Sequence, residues 1–373
     1  MGNSDWGYFA LGELTDNLDS VRVPVKESER KKGQYPYYGA SGVIDMVDGY
    51  LFNGEYLLVA EDGENLRSRK TPIAFMAKGK FWVNNHAHIV QGNSKSDTRF
   101  LMYALHSTDI SGYLTGSTIP KLTQDNLNRI PIYAPTLPEQ RAIVGILGAL
   151  DDKIEVNRRM NATLEGMARA VFREMTSDVE EQGSILEFAD LLGGGTPKTS
   201  EPSYWDGDIE WVSAKDVGNV EGIFLLNTEK KITQDGVDNS STKLLPEKTT
   251  IVTARGTVGA HCILGKPMTM NQSNYGLKAK KGIGDYFVYF TLSEMIGQLK
   301  QQSYGTIFDT ITTKIFQNVQ CAQPTHEVIQ KIEDQITPMM EAILNNQKES
   351  RTLASLRDSL LPRLMRGEVR VKE

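Results

Sequence analysis

The run Gly193-Gly194-Gly195-Thr196-Pro197-Lys198-Thr199-Ser200 is the first place where this sequence could bind an anion. A phosphate loop needs converging backbone N–H groups and a glycine directly before its lysine. Pro197 fills that position with a fixed φ and no N–H, so the run is not such a loop. His86 and His88 could start a metal site, but no third ligand stands near them, and packing in a strand or loop is the competing reading. Carboxylates are plentiful, yet no pair has a spacing that marks acid–base work. No Asn-Pro-Pro-aromatic or Phe-x-Gly-x-Gly run is present, so the pockets of an adenine methyltransferase are missing. Cys262 and Cys321 lie in no CxxC or Cys/His cluster, which excludes a thiolate zinc centre and favours a reducing cytoplasm. The chain reads as non-catalytic, with no metal or cofactor of its own.

A second kind of chemistry is recognition of nucleic acid. Lys31 and Lys32 follow Arg30 and precede Tyr37, Tyr38 and Ser41, while Arg67, Arg69 and Lys70 share a turn. In the second half Lys198 and Thr199 precede Tyr204 and Trp205, and Lys215, Arg255, Asn271 and Gln272 follow. Lysine and arginine hold phosphates, and Arg, Asn, Gln, Ser and Tyr can read base edges. A solvated surface is the bland alternative for any one cluster. The formal charge of −6 does not by itself suggest DNA. Residues 1–136 carry 14 basic and 15 acidic groups, 137–183 carry 6 and 9, 184–325 carry 13 and 15, and 326–373 carry 8 and 8. No segment is basic overall, so DNA binding must use local patches.

These residues need elements to hold them, and the clearest elements are two helices. Ile143, Leu147, Leu150, Ile154, Asn157, Asn161, Leu164, Ala168 and Val171 advance by fours and threes, the heptad seam of a coiled coil. Shifted by 189 residues the seam becomes Ile332, Ile336, Met339, Ile343, Asn346, Ser350, Leu353, Arg357 and Leu360. Asn157 and Asn346 fall in matching layers, as do Ile154 with Ile343 and Leu164 with Leu353, so the two helices are expected to pair with each other, antiparallel, with the asparagines fixing register. Pro338 is expected to kink the second helix, or to restart it with Thr337 as cap. Arg357 either sits at a frayed end or yields its place to Leu356. A helix over 138–175 would be roughly 55 Å long, about one and a half turns of duplex DNA.

The same offset relates Gly116 to Gly305, Leu122 to Ile311, Thr123 to Thr312 and Pro135-Thr136 to Pro324-Thr325. Thr123 and Thr312 are candidate N-caps of short helices. Ahead of each long helix come short apolar or alternating runs broken by Gly and charged turns: 56–63, 71–77 and 80–90, then 249–256, 260–265 and 266–279. Segments 97–108 and 285–296 read as matching helices. At 373 residues the chain exceeds one core, and the repeat divides it at 1–136, 137–183, 184–325 and 326–373. No run of about 18 apolar residues suggests a membrane helix, and the opening residues lack the pattern of a signal peptide.

Several motifs carry a family resemblance. Residues 193–217, 254–259 and 270–276 resemble the target-recognition domain of type I restriction–modification specificity subunits. Residues 35–45, 82–90 and 116–122 resemble another common version of that domain, and 137–147 and 353–371 resemble the family's spacer helices. The resemblance implies an α+β fold: two strand-rich target-recognition domains in pseudo-two-fold arrangement, separated by two long helices in an antiparallel coiled coil. It implies double-stranded DNA as ligand, each domain reading half of a split target. Two methyltransferase subunits that carry S-adenosylmethionine would dock on the helices, and restriction/translocase subunits can join them in this family. A coiled-coil scaffold with two binding heads and no DNA role is the rival reading.

Overall fold

The computed structural model describes residues 6–303 and 310–371; the repeat position Gly305 lies outside the described residues. Two compact units form, Met1–Lys153 with Leu353–Glu373, and Ile154–Thr352. The fold is α+β. The first long helix spans Leu137–Thr176 and the second His326–Met365, so each contributes residues to both units.

The first unit is built on a six-stranded sheet. Its strands are β1 (Thr15–Asn17), β2 (Lys32–Gly39), β3 (Gly42–Val47), β4 (Phe52–Ala60), β5 (Ala74–Val83) and β6 (Ala87–Gly92), in the order β1-β6-β4-β5-β2-β3. Leu57, Leu58, Val59 and Ala60 are all buried, because both faces of β4 are covered. Leu57 and Val59 pack with Phe100, Leu101 and Leu105 of helix Thr98–Ser107. Leu58 faces the other way, onto Phe52, Phe81 and Ile89. Asp97 caps that helix by accepting from the Arg99 and Phe100 N–H groups.

The second unit repeats the ladder with β7 (Ala189–Gly193), β8 (Trp205–Val212), β9 (Phe224–Leu225), β10 (Lys230–Ile232), β11 (Thr250–Thr253), β12 (His261–Leu264), β13 (Thr269–Met270) and β14 (Asn274–Ala279). Here the strands form two sheets, β7-β14-β11-β12-β9 and β10-β8-β13. In the first unit one strand, β5, pairs antiparallel with β4 and then parallel with β2. In the second unit those jobs fall to β12 and β13, separated by Gly265-Lys266-Pro267-Met268. Pro267 has no N–H to give a ladder and takes the place of Lys80, so the strand breaks there.

The helix seam follows the heptads. Ile143, Leu147, Asn157, Ala168, Ile332, Ile336 and Ile343 are buried, and the other seam positions are half-buried. Within the second unit the Asn157 side chain, fully buried, donates to the Asn346 carbonyl at 3.4 Å, Glu349 at 2.8 Å and the Ser350 hydroxyl at 3.2 Å, while Asn346 donates to Asn161 Oδ1 at 2.9 Å. As one residue number rises the other falls, so the helices run antiparallel. The two asparagine side chains thus meet different partners rather than each other. Asn157 Oδ1 is buried with no hydrogen-bond partner. Within the first unit Arg357 keeps its seam position through an ion pair to Asp151 at 2.8 Å, and Leu356 stays exposed.

Two expectations about the second helix need correction. Pro338 neither ends it nor restarts it: the helix is one element from His326 to Met365, with Pro338 on an exposed side. Thr337 is not a cap; its hydroxyl donates to Glu333 Oε2 at 3.2 Å. Glu333 also accepts from the Phe287 N–H at 2.6 Å, capping helix Asp285–Ser303 from outside. A Cβ on Gly284 would fall within 2.0 Å of Glu333, so only glycine admits this cap. Thr123 caps its short helix through the Asn126 N–H, whereas Thr312 sits at the cap position without a side-chain bond.

Replacing Asn157 with Leu is expected to stabilise the helix pair, because it removes an orphan acceptor that costs about 1 kcal/mol or more. A rise in the thermal midpoint of the Ile154–Thr352 unit checks this, and a fall would show that the asparagine's three donations outweigh its orphan oxygen. Glu333→Ala should lower the same midpoint, by about 1 kcal/mol for a lost cap.

Candidate nucleic-acid interface

In the second unit three strands end side by side. β8 and β13 pair parallel through Trp211↔Thr269 and Val212↔Met270, and β11 closes at Thr253. Beyond the ends, the Asn271 N–H donates to the Val212 carbonyl at 2.9 Å and the Ala254 N–H to Ser273 at 2.8 Å. Asn271 folds its own loop: its Oδ1 accepts from the Ser273 N–H at 3.0 Å, an Asx turn that leaves Gln272 exposed at the tip. The glycine run packs against this loop. Gly195 donates to the Met270 carbonyl at 2.9 Å, and a Cβ on Gly194 would lie 2.0 Å from the Asn271 oxygen. Trp211 is buried and donates to the Gly195 carbonyl at 3.0 Å, and the Thr196 hydroxyl donates to Gln272 Oε1. The glycines therefore serve close packing, not phosphate binding.

The first unit ends its strands in the same way. β2 and β5 pair parallel through Tyr37↔Trp82 and Tyr38↔Val83. The Asn84 N–H donates to the Tyr38 carbonyl at 3.0 Å, and Asn84 Oδ1 accepts from the His86 N–H at 2.8 Å, which leaves Asn85 exposed. The Glu61 N–H donates to the His86 carbonyl at 2.9 Å, as Ala254 does to Ser273. Leu122 then donates to Glu61 at 2.8 Å, as Ile311 does to Ala254 at 3.1 Å. Position 62 thus corresponds to 255: Asp62 holds His86 at 2.7 Å, while exposed Arg255 has no partner among the described residues.

Each loop cluster rests on a buried carboxylate. In the first unit Asp19 meets His88 Nδ1 at 2.5 Å, the Ile89 N–H at 2.9 Å and Arg22 at 3.3 Å, and His88 Nε2 meets the Leu122 carbonyl at 2.8 Å. His88 is a packed polar post, not a metal ligand. Burial works to raise Asp19, but His88, Ile89 and Arg22 outweigh it and hold the carboxyl below its ordinary 3.8. In the second unit Glu210 is buried against Lys266 at 2.7 Å and the Thr228 hydroxyl at 2.6 Å. Burial again opposes, and these partners hold Glu210 below 4.5.

The sequence candidates divide. Lys31, Lys32, Ser41, Arg67, Lys70, Lys198, Thr199, Arg255 and Gln272 are exposed. Tyr37 cannot read a base: it is buried, its hydroxyl bonded to the Val25 backbone, with Arg30 stacked 4.5 Å from its ring. Tyr38 packs edge-on against Phe81, and burial pushes its hydroxyl pKa up. Arg69 is spent on structure, donating to the Leu105 and Thr108 carbonyls at 3.2 and 2.5 Å. Lys215 is paired to Glu229 at 2.6 Å, and Asn271 is occupied by its own turn. Arg67 pairs with Glu64, an exposed contact of little strength. Sequence reasoning did not single out Asn85, which stands exposed where Gln272 does; its signal was the shared Asn-carboxamide pair, Asn84-Asn85 against Asn271-Gln272.

A family model of the type I restriction modification DNA specificity domain matches twice, at residues 3–166 and 177–352. The chain belongs to that family. It is similar to the type I restriction enzyme HindI specificity subunit of Haemophilus influenzae, at 24% identity over 98% of this chain and 100% of the relative. A second Haemophilus influenzae chain, provisionally named as a type I restriction enzyme specificity subunit, is 36% identical over 48% of each chain. The MjaIX specificity subunit of Methanocaldococcus jannaschii is 30% identical over 46% of this chain and 40% of its own. The chain thus spans less than half of two of these relatives and all of the third. The fold is that of a crystallised type I restriction-modification S subunit from M. genitalium, with a TM-score of 0.67, 15% identity and coverage of 98% and 97%. Members of this specificity family are non-catalytic and use no catalytic cofactor. No helix among the described residues is long and apolar enough to cross a membrane.

Because Asp19 and Glu210 are held low, their stabilisation is present above the ordinary carboxylate range and is lost as pH falls through the folded-state values. Asp19→Asn should lower stability at neutral pH by about 3 kcal/mol for a broken buried pair, and Glu210→Gln by less, because Lys266 is half exposed and turns to solvent. They should also flatten the loss of stability on acidification. Urea unfolding across a pH series measures both; an unchanged acid slope would show that other carboxylates carry it.

Proposed function

We propose that the chain supplies the DNA sequence specificity of a type I restriction–modification complex in the cytoplasm, by binding alone. Each unit reads one half of a split, asymmetric double-stranded target. The observation that carries this reading is the pair of strand-end loop clusters, built on one hydrogen-bond frame but tipped with different side chains. Unpartnered Arg255 suits bidentate contact with guanine O6 and N7, and exposed Lys198, Lys31 and Lys32 suit phosphates. Asp62 at the equivalent place suits a cytosine amino group instead.

The two long helices set the gap between half-sites and dock two methyltransferase subunits, with restriction/translocase subunits joining them. Val156, Met160 and Met167 of the first helix stay exposed, apolar in a stretch where charge would be expected on a solvated face. S-adenosylmethionine and the methyl transfer belong to the methyltransferase partner. Both cysteines are buried free thiols whose pKa burial pushes up, Cys321 to about 12, as suits a reducing compartment.

Co-expression with the cognate adenine methyltransferase, followed by genome-wide mapping of methylated adenines, tests this. A split motif with a fixed gap is expected; a continuous motif or none would overturn it. Arg255→Ala should relax one position of one half-site and leave the other half unchanged. A uniform loss on every sequence would reduce Arg255 to a phosphate contact.

A further inference from the structure

The equivalence of the two loop frames reaches one residue past the asparagines. Asn84 and Asn271 each follow a two-residue parallel pairing, each donates its N–H across to the neighbouring strand at the last residue of that pairing, and each closes an Asx turn onto the second residue beyond. The residue at the apex of each turn is therefore presented alike in both units. Both apex residues, Asn85 and Gln272, are exposed carboxamides. From this we infer that Asn85 and Gln272 are paired specificity-determining residues, each reading an adenine at the corresponding place of its own half-site. The inference rests on the DNA-reading role proposed above and names the base that the shared tip recognises.

A carboxamide is the side chain that matches adenine in the major groove: its oxygen accepts from N6 and its N–H donates to N7. Gln272 is already set for this. The Thr196 hydroxyl donates to Gln272 Oε1, which tethers the amide and leaves one lone pair and both N–H groups for a base. Asn85 has no hydrogen-bond partner among the described residues, so its whole amide is available. Backbone anchoring by the preceding asparagine supplies the rigidity that a single flexible glutamine would lack. The next position differs in charge between the units, Asp62 against Arg255. Half-sites that share an adenine at the tip would then part at the neighbouring base.

The test uses the chain assembled with its methyltransferase and duplexes carrying its mapped target, in which single adenines are replaced by 7-deazaadenine. One adenine in each half-site should lose about tenfold in affinity on losing N7. Gln272→Ala should abolish that sensitivity in one half-site only, and Asn85→Ala in the other only. Gln272→Glu should shift preference from adenine to cytosine at the same position, since a carboxylate accepts from N4. If the wild-type complex binds all sequences alike, the DNA-reading role itself fails. If it binds its target selectively but neither alanine variant changes the response at any single adenine, the role stands and this inference falls.

Discussion

Two residues of parallel pairing hold each strand-end loop in place. At Tyr38↔Val83 and Val212↔Met270 two strands that are far apart in sequence run side by side and stop together. A parallel pair has no turn to fix its register, so the register must come from what surrounds it. Here the strand-end asparagine donates one bond further along the same line, and its side chain locks the turn that follows. Everything on the exposed tip inherits its position from that short contact. The buried carboxylates below serve the same end: Asp19 and Glu210 tie strand, loop and cation together where an unpaired charge would cost several kcal/mol.

The helices were legible in the sequence because a heptad seam is a local pattern with one physical meaning. Every seam position from Ile143 to Val171 is buried or half-buried, and Arg357 keeps its layer by pairing with Asp151. The strands were legible from the apolar runs Leu57–Ala60 in β4 and Ile251-Val252 in β11, each bounded by turns. Pro338 does not restart the helix, because it stands on an exposed side where solvent can satisfy the carbonyl that its missing N–H leaves free.

The site was much less legible. A 189-residue offset aligns Leu122 with Ile311 and the seams, but Tyr38 matches Val212 at 174, Glu61 matches Ala254 at 193, and Asn84 matches Asn271 at 187. Loops between the strands differ in length, so no single shift superposes the tips. Basic clusters were a poor guide for a different reason. Arginine's planar fork is as good at satisfying carbonyls inside a protein as phosphates outside it, and Arg69 does the former. Tyr37 follows the period-2 rule into the core, a fact that its neighbours Lys31 and Lys32 concealed. Unlike these, Arg255 meets no partner among the described residues: it stands beyond a strand end, where Gly256 turns the chain at φ +80° into open space.

A chain with net charge −6 that binds DNA must also explain what it gains by not being basic. Contacts to phosphate carry affinity but no sequence information, and they act on every competing site in a genome. With acidic groups matching or exceeding basic ones in every segment, the non-specific term is kept small. On the proposed reading, discrimination then falls on a few side chains held rigidly at strand ends. That arrangement favours short, stiff, hydrogen-bonded turns over long basic loops, and it is what the Asn84 and Asn271 turns provide. It also allows the tips to diverge: because the frame is made by backbone and by the anchoring asparagines, a change such as Asp62 against Arg255 alters the charge at the tip without disturbing the fold beneath, and on the proposed reading the base preferred with it.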